Sequence, residues 1–153
     1  MPAQSTDVVA REIRIKASPE TIFGFFTDPE KMTRWKGVTA SLDPVPGGEF
    51  HVDITEQAVA VGTYLEIDPP HRIVFTWGWE GSEGVPPGSS TVEITLMPDG
   101  DETIVALVHR DLPEGAGKEH AEGWDHYLPR LAIAAAGGDP GPDQQVGATE
   151  GGM

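Results

Sequence analysis

The chain has 153 residues, 38% of them hydrophobic, which suits one domain with its own core, and its 10 Lys and Arg against 25 Asp and Glu leave a formal charge of −15 at pH 7. With the basic residues scattered in ones and twos, no stripe exists to hold phosphate backbones, so nucleic acid and anionic membrane surfaces are excluded as expected partners. Cysteine is absent, which removes disulfides, thiolate catalysis and zinc ribbons. No stretch approaches the roughly 20 apolar residues of a membrane span, and the N-terminal residues lack a signal-peptide pattern; no membrane insertion and a cytoplasmic location are therefore expected.

Residues 1–7 are short and polar and are expected to be flexible. From Val9 to Lys16, Ile13 and Ile15 alternate with Glu12, Arg14 and Lys16, the period-2 pattern of a half-buried first strand. Ser18-Pro19-Glu20 supplies an N-cap, a first-turn proline and an early acid ahead of Ile22, Phe23, Phe25 and Phe26, so a helix starts there. Asp28-Pro29-Glu30 repeats the signal and predicts a short second helix from Pro29 to Trp35.

Between Val38 and Arg110 the turn residues Pro46-Gly47-Gly48, Asp68-Pro69-Pro70, Pro86-Pro87-Gly88 and Pro98-Asp99-Gly100-Asp101 punctuate a meander of antiparallel strands. Ile73, Phe75, Trp77 and Trp79 share one side of a strand; Val92, Ile94 and Leu96, then Ile104, Ala106 and Val108, repeat the alternation across a hairpin turn. The Gly/Pro-rich loop from Gly81 to Ser90 either borders a pocket or is floppy. A sheet with one apolar face needs a cover, and only Gly117 to Ala136 offers a long amphipathic helix, with Trp124, Leu128, Leu131 and Ala135 on one face and Glu122, His126 and Arg130 on another. After Ala136, residues 137–153 hold almost nothing to bury and are expected to form a disordered Gly/Pro-rich tail; residues 8–136 are the domain.

This order of elements, α+β with a curved antiparallel sheet, two short helices and a long C-terminal helix, resembles the helix-grip fold of the Bet v 1-like, or START-like (SRPBCC), superfamily. Ser18-Pro19-Glu20 with Ile22-Phe23, Asp28-Pro29-Glu30 leading to Trp35, Gly47-Gly48-Glu49-Phe50, Gly62-Thr63-Tyr64, Val74-Phe75-Thr76-Trp77, Ser90-Thr91-Val92 and His120-x-x-Gly123-Trp124-x-x-x-Leu128-x-x-Leu131 are similar to the bacterial branch related to the C-terminal domain of the Hsp90 ATPase activator. The resemblance implies a cavity between the long helix and the sheet that takes hydrophobic small molecules. Two departures stand out: Pro129 lies inside the last helix, where it should bend the axis, and Lys36-Gly37 follows Trp35 where relatives often carry a second aromatic.

The residues expected to line the cavity are Phe23, Phe26, Trp35, Phe50, Phe75, Trp77, Trp79, Trp124, Leu128 and Leu131, because large aromatic surfaces with one indole N–H suit aromatic or acyl ligands. Trp77 and Trp79 line it together or pack elsewhere together, and Trp35 forms its entrance or closes the core. No metal site and no cofactor are expected. His120 and His126 are six apart and do not share a helix face, and neither a His-Glu-x-x-His pattern nor a phosphate-cradling glycine loop occurs. No catalytic set is evident; Glu80, Asp53 and His109, the last at a strand end within reach of the cavity rim, are the polar groups to watch. Ligand binding is thus the leading expectation. A polyketide cyclase or hydrolase using the same cavity and a chaperone-interacting module are the alternatives, and the expected assembly is a monomer or weak homodimer.

Overall fold

The structure, a computed structural model, describes residues 6–55 and 58–140. Ten elements follow in chain order: β1 (Thr6–Ile15), α1 (Pro19–Thr27), α2 (Pro29–Trp35), β2 (Thr39–Leu42), β3 (Glu49–Asp53), β4 (Val59–Asp68), β5 (Arg72–Trp77), β6 (Ser90–Asp99), β7 (Glu102–Pro113) and α3 (Gly117–Ala135). The seven strands form one sheet in the order β1-β7-β6-β5-β4-β3-β2, with every neighbouring pair antiparallel. Helix α3 packs along β1 and against α2 and α1. The α+β helix-grip architecture is therefore as expected, and the core lies between α3 and the sheet.

Both short helices start where their capping residues stand. Ser18 Oγ accepts from the Thr21 backbone N–H and Asp28 Oδ1 from that of Glu30, each ahead of a proline in the first turn. α3 has no such cap of its own, since Ala116 occupies the N-cap position. Asp7 supplies it from β1 instead: its Oδ2 accepts from the backbone N–H groups of Gly115 and Gly117, both 2.9 Å away. The strand begins at Thr6, so Asp7, expected in a flexible segment, is held in β1. Asp7→Ala is expected to cost about 1 kcal/mol of stability, the usual worth of a lost N-cap carboxylate, measured by urea unfolding; an unchanged midpoint would mean that this cap contributes nothing.

The β6–β7 hairpin corrects one sequence expectation. Its two-residue turn at Gly100-Asp101 pairs Asp99 with Glu102 and hence Leu96 with Val105, Ile94 with Leu107 and Val92 with His109. Thr103, Val105, Leu107 and His109 therefore face the core, while Ile104, Ala106 and Val108 lie half-buried on the outer face. Every position from Ile104 to Val108 is apolar, so alternation alone does not choose a face; the turn length does.

α3 continues unbroken through Pro129, which is exposed. Its apolar stripe, Trp124, Leu128, Leu131 and Ala135, is buried as the spacing requires, joined by Tyr127 and Ala134. Residues 137–140 turn back at the helix end, with the Gly138 N–H donating to Ile133 O and Arg130 to Pro140 O. The remainder of the expected tail, 141–153, and residues 1–5 lie outside the described residues.

Candidate functional site

Strand β5 sends Phe75 and Trp77 inward, β3 sends Phe50, β4 sends Tyr64, and α3 lowers Trp124 onto them. The rings pack directly on one another. Phe50 stacks on Phe75 at 4.3 Å between centroids; Trp77 lies 5.9 Å from Phe50, 5.8 Å from Trp124 and 5.4 Å from Trp79. Phe26 meets Trp35 edge to face at 5.4 Å. Phe26, Trp35, Phe50, Phe75, Trp77, Trp124, Leu128 and Leu131 all fall in one buried cluster, with Phe23 and Trp79 half-buried against it.

The residues expected to line a cavity are thus together, and their side chains occupy the space between α3 and the sheet. Trp35 is core rather than entrance: its Nε1–H donates to Phe25 O at 3.0 Å, and its carbonyl accepts from Arg130 of α3. The loop after β5 is packed rather than floppy. Trp79 N–H donates to Val85 O and Val85 is buried, while Gly78 lies so close to the loop that a Cβ there would overlap the carbonyl oxygen of Pro86. An open surface depression lined by Arg34, Gly138, Asp139 and Pro140 sits at the far end of α3 and takes in none of the aromatic cluster.

At the centre of the cluster stands Lys36, the residue that departs from the family's aromatic pattern after Trp35. Lys36 is 5% exposed. Its Nζ lies 3.8 Å from the centroid of the Trp124 ring, 4.2 Å from Trp77, 5.4 Å from Tyr127 and 5.7 Å from Trp35. Among the described residues no acceptor pairs with it, and burial alone pushes its pKa well below the usual lysine value. Cation–π attraction, about 0.5–2 kcal/mol per favourable ring, opposes a desolvation penalty of several kcal/mol per buried ion. Desolvation is the larger, so the amine is easily deprotonated.

The polar groups around it form satisfied pairs. His109 is fully buried rather than at a rim, because the β6 register carries it inward. Ser90 Oγ donates to Trp77 O at 2.7 Å, so it must accept from His109 Nε2–H at 2.8 Å; His109 Nδ1 then accepts from Trp124 Nε1–H at 3.1 Å. Burial first, then His120 and Lys36, push the His109 pKa down to about 2. His120 gives Nδ1–H to Ala116 O at 2.8 Å and accepts from Trp79 Nε1–H at 3.0 Å, and burial lowers its pKa too. Tyr64 OH donates to Phe26 O at 2.9 Å.

One donor in this cluster is left over. Trp77 Nε1 is buried with no hydrogen-bond partner, a costly state for an indole N–H. Glu80 is exposed and Asp53 lies half-buried on β3, where it accepts from Thr39 and neighbours His51, so neither carboxylate reaches the cluster. Among the described residues no group of three or more His, Asp or Glu is placed to hold a metal ion, and no helix is long and apolar enough to cross a membrane.

Comparison with known proteins matches residues 16–136 to the family described as activator of Hsp90 ATPase homolog 1-like protein. The solution structure of an AHSA1-like protein from Rhizobium etli is similar at 47% identity and a TM-score of 0.73, covering 91% of this chain and 88% of that one. The crystal structure of CalU16 from Micromonospora echinospora is similar at 25% identity and a TM-score of 0.68, covering 89% and 88%. The human activator of 90 kDa heat shock protein ATPase homolog 1 is 25% identical over 111 residues, 72% of this chain but 31% of that protein, so the chain spans less than a third of that relative.

Proposed function

The chain belongs to the activator of Hsp90 ATPase homolog 1-like family, and from that premise we propose that it binds a small hydrophobic or aromatic molecule between α3 and the sheet. The observation that carries this reading is the buried, unpartnered Trp77 Nε1 beside the amine of the buried Lys36, which has no acceptor among the described residues, at the centre of an otherwise apolar cluster. A core selected only for stability replaces such groups with apolar ones, since each orphaned donor costs about 1–3 kcal/mol. An orphaned N–H beside an unpaired amine is explained by a molecule that supplies the acceptor. The ligand enters by displacing α3 or the loop after β5 and takes its place among the rings.

An isotope-labelled sample titrated with dodecanoic acid, a flavone and naphthoic acid tests this. Saturable shifts centred on the indole N–H signals of Trp77 and Trp124 and on Leu128 are expected; no saturable shift from any of the three, or shifts confined to exposed residues, would overturn the reading. A cyclase or hydrolase role is less well supported, because both ring nitrogens of His109 and of His120 are already engaged and neither is free to move a proton. Contact with an Hsp90 chaperone is the second reading, supported by the name of the human relative; stimulation of an Hsp90 ATPase by this chain would establish it.

A further inference from the structure

We propose that the ligand is an acid: its apolar body lies among the rings of Trp77 and Trp124, and its carboxylate accepts from both Lys36 Nζ and Trp77 Nε1. This rests on the small-molecule reading above and names the chemistry of its polar end. The first ground is the count of donors against acceptors. Trp77 brings an N–H with no partner and Lys36 an amine with no acceptor among the described residues, 4.2 Å from amine to ring centroid, so they belong to one locus. Four acceptors of the cluster are already engaged. His109 Nδ1 takes the Trp124 N–H, His120 Nε2 takes the Trp79 N–H, Ser90 Oγ takes the His109 Nε2–H, and Phe26 O takes the Tyr64 hydroxyl. A ligand that itself brings donors would leave them orphaned, whereas a carboxylate has only acceptor sites, about four across its two oxygens.

The second ground is charge. The titratable groups facing Lys36 are His109 on β7 and His120 and Tyr127 on α3, and Arg130 of α3 is held at the Trp35 carbonyl. Among the described residues no carboxylate acts on Lys36. A buried amine without a counter-ion sits beside an unpaired N–H, and a monoanion completes both in one step: the amine takes up a proton as the acid anion arrives, forming a charge-assisted pair inside the cluster. The proton comes from solvent, so uptake accompanies binding wherever Lys36 is neutral in the free protein.

Dodecanoic acid and naphthoic acid, each against its methyl ester, would be titrated into the labelled protein and into Lys36→Met. The acids are expected to bind wild type roughly ten- to a hundredfold tighter than the esters, the usual range for a hydrogen bond to a charged group, with the Trp77 indole signal moving downfield. Acid affinity is expected to fall as pH rises through the free-state Lys36 value, by about tenfold per unit, with proton uptake seen calorimetrically in buffers of different ionisation enthalpy. In Lys36→Met the acid preference and its pH dependence disappear while ester binding persists. Esters binding as tightly as acids, or Lys36→Met keeping the acid preference, would overturn this inference and leave the small-molecule reading standing. Silence from acids and esters alike would overturn both.

Discussion

Trp124→Ala is expected to cost about 3–5 kcal/mol of folding stability, the range for removing a large aromatic from a core, read as the shift in urea midpoint at unchanged slope. Trp124 is 3% exposed and carries α3 onto the sheet. Its ring lies 5.8 Å from Trp77 and is the nearest to the Lys36 amine, so truncation opens a void under the helix and removes one wall of the cage. It also strips His109 Nδ1 of its donor in a fully buried position. Trp124→Phe keeps an aromatic ring under the helix while losing the N–H and part of the indole volume, and is expected to cost less than the alanine variant, about 1–3 kcal/mol. A loss below about 1 kcal/mol for the alanine variant would mean that the helix does not rest on this residue.

Lys36→Met is expected to act in the opposite direction, raising stability near neutral pH by about 1–3 kcal/mol by removing a buried amine that has no acceptor among the described residues while keeping a long apolar side chain in its place. The pH dependence has a definite sign. Burial lowers the Lys36 pKa in the folded protein, so between that value and the ordinary lysine value of about 10.4 the unfolded chain holds the extra proton. Stability of the wild type therefore rises with pH across that window, by up to about 1.4 kcal/mol per unit from this group alone, and the full penalty is present below it. The advantage of Lys36→Met should be greatest at low pH and shrink as pH approaches the unfolded lysine value. A variant less stable than wild type at neutral pH would show that attraction to the Trp77 and Trp124 rings outweighs desolvation.

Much of this was legible in short stretches of sequence. Ser18 and Asp28, each followed by Pro and Glu, start α1 and α2, and the stripe from Trp124 to Ala135 marks the buried face of α3. The inward face of β5, with Phe75 and Trp77, follows from alternation. The face of β7 is not legible from alternation, because both of its faces are apolar between Ile104 and Val108; the signal lies in the turn, since a two-residue turn pairs even-numbered residues of β6 with odd-numbered residues of β7 and sends His109 inward with Val105 and Leu107. Lys36 also left a trace, standing where the resembling family often has an aromatic, and its side chain lies among aromatics.

The sequence by itself determined the elements, their order and the set of aromatics that meet beneath the last helix, because caps, turns and periodicity act over a few residues. Only the tertiary structure decided that Asp7 of β1 caps α3, that the aromatics close upon one another, and that Trp77 Nε1 is left without an acceptor beside the buried Lys36 amine. Those outcomes depend on segments far apart in the chain converging at one point, Lys36 after α2, Trp77 on β5 and Trp124 on α3. Burial and hydrogen-bond satisfaction are properties of that convergence, and no local pattern encodes them.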